Sequence, residues 1–248
     1  MCKLGFFSFL FLFSIAQAKQ DLRVVIQPEI QKEMKAGEIQ YKFKLHDSKT
    51  KKYLTDKDLV ETHTKILHFI AYDAAKKEFN HVHPEFKDKM WTVNLNFAVN
   101  GDYFFWAQGE LKDETAFSIF IKTKVVGGNK ENPIETLKDI RTVTKDRTVL
   151  TIDPGEVQSG KMVMLNFKIT RDDGKSPAIT PYLGAFAHVI AVSPRGNDLI
   201  HVHPMQSEKP NTGMIHATFP IIGVYRIWVE MMDHGVVKSM PVSIAVSK

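Results

Sequence analysis

Six histidines fall into two identical spacings. His68, His81 and His83 are matched without a gap by His188, His201 and His203. Each trio runs histidine, thirteen positions, histidine, valine, histidine, and ends on Pro84 or Pro204. Alternate residues of a strand share a face, so His81 and His83 are neighbours, as are His201 and His203. The proline ends the strand and places the pair near a rim. A hairpin can bring the earlier histidine opposite the pair. Three imidazoles on adjoining strands suit Cu(II) or Zn(II) and leave a coordination position open. A plainer role stands beside this one. His68 shares its strand face with Ile66 and Ile70, and His188 with Phe186 and Ile190. Histidines in such company also serve as buried hydrogen-bond partners.

The second half carries additional soft donors. Met231, Met232, Asp233 and His234 follow one another, where the first half has Gly109, Glu110, Leu111 and Lys112. Met205 follows the second His-Val-His-Pro, and Met214 and His216 lie between. Thioether plus imidazole favours Cu(I), which makes copper the expected ion and zinc the second choice. Strand alternation puts Met232 and His234 on one face and selects them as additional ligands. Methionine is also an adaptable core filler, which is the alternative for this run.

The elements that position these residues come in duplicate. FAVNGDYFFW at 97–106 aligns with FPIIGVYRIW at 219–228, sharing Phe, Gly, Tyr and Trp. YKFKL at 41–45 alternates Tyr41, Phe43 and Leu45 against Lys42 and Lys44, the period of a half-buried strand. Val163, Leu165, Phe167 and Ile169 alternate likewise. Further β-rich runs cover 66–72, 91–99, 102–107 and 115–125, with counterparts at 186–192, 214–219, 224–231 and 236–246. Turn signals such as Asn100-Gly101 and Asp172-Asp173-Gly174 separate them. Helical periodicity is confined to 131–140. The pattern predicts an all-β protein of two tandem immunoglobulin-like β-sandwich domains. Module 1 is expected at 19–126, a Gly- and Pro-containing linker at 127–139, and module 2 at 140–248. Tyr103, Trp106, Tyr225 and Trp228 read as core and corner residues.

Residues 1–18 have the order of a secretory signal peptide: Lys3, an apolar run from Leu4 to Ile15, then Ala16-Gln17-Ala18. Cleavage before Lys19 removes Cys2, the single cysteine, so the mature chain is expected without disulfides in the periplasm or outside the cell. No later stretch reaches membrane-spanning length. The formal net charge of +5 comes from lysines in mixed-sign company, with no basic-aromatic cluster for nucleic acid. The chain has no G-x-S-x-G, P-loop or convincing acid pair, and the mature chain has no cysteine nucleophile, so no enzyme is expected.

The run YLGAFAHVI, then IHVHP, then FPIIGVYRIWVE resembles the secreted, immunoglobulin-like domains of the YtkA-like type. The resemblance covers most of 150–248, and 25–126 less well, because THTKILHF lacks the Leu-Gly-Ala approach. It implies the sandwich fold and an extracytoplasmic location, and some such domains accompany heavy-metal handling proteins. Two functions are expected. The first is an exported metal-binding protein, most simply for copper buffering or delivery, with one site per module. The second is a cell-envelope structural or interaction module with an envelope protein as partner and structural histidines.

Overall fold

The structure is a computed structural model that describes residues 23–29, 33–62, 64–202 and 204–248. The proposed signal peptide and His203 lie outside the described residues.

In the first half, Gly37–Asp47 pairs with Met90–Phe97 in one sheet, and Gly101–Leu111 lies between Leu67–Asp73 and Ala116–Val126 in the other. The alternation read from the sequence fixes the inward faces. Tyr41, Phe43 and Leu45 meet Trp91, Val93 and Leu95 in one sheet, and the facing sheet adds Phe69, Phe105 and Ile119. Short strands at Val24–Pro28 and Glu33–Lys35, which the pattern did not reveal, extend the two sheets at their edges.

The second half repeats this plan. Met162–Arg171 lies between Thr148–Ile152 and Thr212–Thr218. Gly223–Asp233 lies between His188–Val192 and Val236–Val246. Leu165, Phe167, Ile215, Ile227, Val242 and Ile244 fill its core. Each half is thus an immunoglobulin-like sandwich, and the chain is two of them in tandem. Tyr103 and Tyr225 are buried corner residues. The Tyr103 hydroxyl donates to the Val99 carbonyl at 3.2 Å, and the Ile221 amide donates to the Tyr225 hydroxyl at 3.1 Å.

Residues 131–140 form no helix; Ile140 instead makes an isolated bridge to Ser243. Among the described residues the one helical element is a 3-10 turn at Asp56–Asp58, capped by Thr55. Residues 127–139 are held to both halves: the Gly128 amide reaches Asn100, and Ser243 donates to the Lys138 carbonyl.

The tryptophans are buried as expected, in a cluster that the two halves share. Strands Leu67–Asp73 and His188–Val192 are buried at every residue. A half-exposed sheet would alternate, so both faces of these strands must be covered. One face enters its own sandwich core. The other meets the opposite half in a third apolar cluster of Ile70, Tyr72, Trp106, Ile190, Val192 and Trp228. Phe79 stacks on Trp228 with centroids 4.3 Å apart. The cluster draws on the same positions of the duplicated modules: Ile70 and Ile190, Tyr72 and Val192, Trp106 and Trp228. The junction therefore has the isologous character of a two-fold dimer interface, built within one chain. Polar ties seal its edge. Trp106 donates to the Tyr72 hydroxyl at 3.0 Å, and Tyr72 donates to the Gly196 carbonyl at 2.8 Å. Lys76 donates to the Ser193 carbonyl at 2.7 Å.

Candidate metal centre

The histidines occupy the junction face. Leu67, Phe69 and Ala71 point into the first sandwich, so His68 points with Ile70 and Tyr72 toward the second module. His188 points the same way from the other side, beside Ile190 and Val192. On the neighbouring strands Phe79–Val82 and Leu199–Val202, the cross-strand register places His81 opposite Ile70 and His201 opposite Ile190. His68, His81 and His188 are buried, and His83 and His201 are partly so.

Hydrogen bonds set the ring orientations and tautomers. His68 Nε2 lies 3.1 Å from the Thr62 carbonyl oxygen, and His188 Nε2 lies 2.9 Å from that of Tyr182. A carbonyl only accepts, so both rings carry their proton on Nε2 and direct an Nδ1 lone pair elsewhere. His81 Nδ1 lies 2.7 Å from Glu230 Oε2 across the junction. That nitrogen is the donor, so in the neutral ring the lone pair is on His81 Nε2. The ring nitrogens converge: His68 Nδ1 is 3.4 Å from His81 Nε2 and 3.2 Å from His83 Nε2. Metal–nitrogen bonds of about 2.0–2.1 Å in a tetrahedron place neighbouring nitrogens about 3.3 Å apart, so the spacing fits a Zn(II)- or Cu(II)-sized ion. Burial pushes the His83 imidazole down to about 2, reinforced by His81, His68, Lys65 and His188. The neutral ring it thereby keeps is the form that ligates.

Among the described residues two groups of ring nitrogens converge, each with its members within 4.8 Å of one another: His68, His81 and His83, and His81, His188 and His201. His81 belongs to both. The trio expected in module 1 thus comes together, while His188 and His201 of the second trio gather with His81 across the junction. With Nδ1 directed at Glu230, Nε2 is the His81 nitrogen left for either group. The His68 and His201 rings meet edge to face at 4.8 Å, and those of His81 and His201 at 5.1 Å.

The turns before His68 and His188 match although their sequences do not. Thr62 pairs with Lys65, and Tyr182 with Ala185. Each turn supplies the carbonyl that holds its histidine. Thr64 Oγ1 donates to the Leu183 carbonyl, so the two turns also touch. Gly184 sits at φ +77°, and a Cβ there would lie 2.4 Å from Thr64 Cγ2. The close approach requires glycine at that position.

Glu230 is the member of this cluster that sequence reasoning missed. Its signal was a lone carboxylate in the otherwise apolar run IWVEMM. Gln108 holds the equivalent place opposite His68 in module 1 and donates to Ser118 at 3.0 Å, so the duplicate lost or never had the charge.

The expected soft donors do not all reach the cluster. Met231 is buried in the module 2 core, while Met232 lies one strand step beyond Glu230 on its face. His234 forms the hairpin tip with Gly235 and places Nδ1 2.7 Å from Asp233, away from the histidine groups. Met205, Met214 and His216 belong to the other sheet of the sandwich. Alternation located each residue on a face, but nothing in the sequence said which sheet faced the other module.

No curated protein matches the chain. Among solved structures it is similar to the fibronectin(III)-like modules of CbhA from Clostridium thermocellum, at 11% identity and TM-score 0.24, covering 90% of this chain and 94% of that one. It is similar to a tetra-tandem repeat of a large adhesion protein at 10% identity and TM-score 0.28, covering 89% and 48%. A trypsin-activated alpha-2-macroglobulin from Escherichia coli follows at 8% and 0.26, covering 91% and 15%. Residues 19–125 and 141–248 each match one family, and the chain belongs to it: Domain of unknown function (DUF8832).

Proposed function

We propose that this is an exported metal-binding protein whose junctional imidazoles hold one Cu(II) or Zn(II) ion per chain, serving copper buffering or delivery. The observation that carries the reading is the convergence of three ring nitrogens, with His68 Nδ1 3.4 Å from His81 Nε2 and 3.2 Å from His83 Nε2, while Thr62 and Glu230 hold the far sides of the first two rings. An imidazole-only donor set binds Cu(II) more tightly than Zn(II) at equal availability, which favours copper. Glu230 behind His81 raises the basicity of that ligand and offsets part of the ion's charge. Export rests on the leader-like residues 1–18 and on the likeness of the second module to YtkA-like secreted domains.

A second reading rests on one distance. His83 Nε2 lies 3.2 Å from His68 Nδ1, so a His83 proton can satisfy that lone pair without any ion. The histidines then act as a polar seam of an interaction module. Titration of intact protein with Zn(II) and Cu(II), repeated on His81→Ala, separates the two. Metal binding predicts one ion per chain, abolished by the substitution. The seam predicts no specific uptake and a loss of stability in metal-free protein, on the order of 1–3 kcal/mol for each buried partner removed.

A further inference from the structure

The outward face of the other module 2 sheet carries a run of soft donors that the junction does not use. Met205 pairs directly with Met214, and His216 pairs directly with Met164. Directly opposed side chains sit with Cβ atoms about 4.5–5.5 Å apart. Met214 and His216 are alternate residues of one strand, as are Met162 and Met164 of the next, so all five share a face. Their neighbours Leu165, Phe167 and Ile215 fill the core on the opposite face. The methionines are therefore not core filling: Met162 is 72% exposed, Met164 63% and Met205 54%.

Duplication supplies an internal control. The register places Glu85, Thr92, Asn94, Gln40 and Glu38 at the positions that hold Met205, Met214, His216, Met164 and Met162. Module 1 thus has an ordinary solvated polar face where module 2 has four thioethers and an imidazole. Two of these donors already converge, with His216 Nε2 3.2 Å from Met214 Sδ. With metal–donor bonds of roughly 2.0–2.3 Å, that separation corresponds to an angle of about 95° at a shared ion. Met205 and Met164 flank the pair on either side.

We propose that this face is a second metal site, open to solvent and selective for a soft monovalent cation, Cu(I) or Ag(I). Thioether sulfur binds such ions and gives little to Zn(II). His216, Met214 and Met164 are the central donors, with Met205 as the fourth. The site is separate from the junction and takes a different class of ion, so either can fail alone.

Ag(I) is the probe, because it needs no reductant. The experiment follows methionine methyl and histidine ring NMR signals of intact protein during Ag(I) addition, and again during Zn(II) addition. The expected result is that Ag(I) shifts the methyls of Met164, Met205 and Met214 and the His216 ring, while Zn(II) leaves them unmoved. Met164→Leu with Met214→Leu keeps apolar bulk on an exposed face and should lower Ag(I) affinity more than about tenfold, the loss that even an outer partner of a ligand brings. Zn(II) binding at the junction should be unchanged in that variant. Unmoved methyls, an unchanged Ag(I) affinity, or methyl shifts that follow protein concentration instead of silver would overturn the proposal; the last would mark a docking surface.

Discussion

Glu230→Gln tests the electrostatic design of the junction. Glu230 is buried and contacts His81 Nδ1 at 2.7 Å from the other module. The amide keeps the shape and still offers an oxygen to the Nδ1 proton, but it removes the charge. From the carboxylate oxygen through the ring to an ion on Nε2 is a path of about 7 Å, taking a metal–nitrogen bond of about 2 Å. A single negative charge and a divalent ion at that distance interact by about 1 kcal/mol at the permittivity of water and about 5 kcal/mol at an effective value near 20. Partners behind a ligand typically change metal affinity by about 10–100-fold, or about 1.4–2.8 kcal/mol, which falls inside that range. Competition of wild type and variant for Zn(II) against a chelator measures the loss directly. The melting temperature of metal-free protein should move little, since the hydrogen bond is retained. An unchanged Zn(II) affinity with a large fall in metal-free stability would refute the reasoning and assign Glu230 to the seam alone.

Trp228→Ala should cost about 3–5 kcal/mol, because it removes the stack on Phe79 and opens the junction; limited proteolysis across 127–139 should accelerate while each sandwich resists. Fragments 19–126 and 140–248 should each fold with β-type circular dichroism, since each has its own apolar core, and neither should bind Zn(II) as the intact chain does. Gly184→Ala should weaken metal binding as well as stability, because the clash with Thr64 shifts the turn whose carbonyl holds His188. Burial raises the Asp233 carboxyl, but hydrogen bonds from Thr148, Ala178 and His234 outweigh it and hold the group down at about 2. Its folded value lies below its unfolded one, so this stabilisation is present above about pH 4 and is lost as pH falls through about 2. Asp233→Asn should flatten that acid limb of a stability-against-pH curve.

The alternation of YKFKL and the thirteen-residue histidine spacing made the sandwich and its duplication legible in the sequence. Periodicity reports which side chains share a face, and both inferences needed only that. It does not report what covers a face. LHFIAYD is apolar on both sides, so the sequence could not separate its core residues Leu67, Phe69 and Ala71 from the junction residues Ile70 and Tyr72. The merging of the two histidine trios was hidden for the same reason. Met162 and Met164 escaped attention because MVMLNF reads as one hydrophobic run, although only Val163, Leu165 and Phe167 turn inward. Glu230 was visible as a lone charge, but its partner His81 is 149 residues away, in the other module.

Imidazole nitrogen NMR of the intact chain during Zn(II) addition tests the central claim most directly, because it names the ligating rings. One equivalent should shift His68, His81 and His83 together, with His81 Nε2 as the ligating atom and Nδ1 still protonated toward Glu230. Independent filling of two equivalents, a shift that spares His81, or no specific shift at any of these histidines would contradict it.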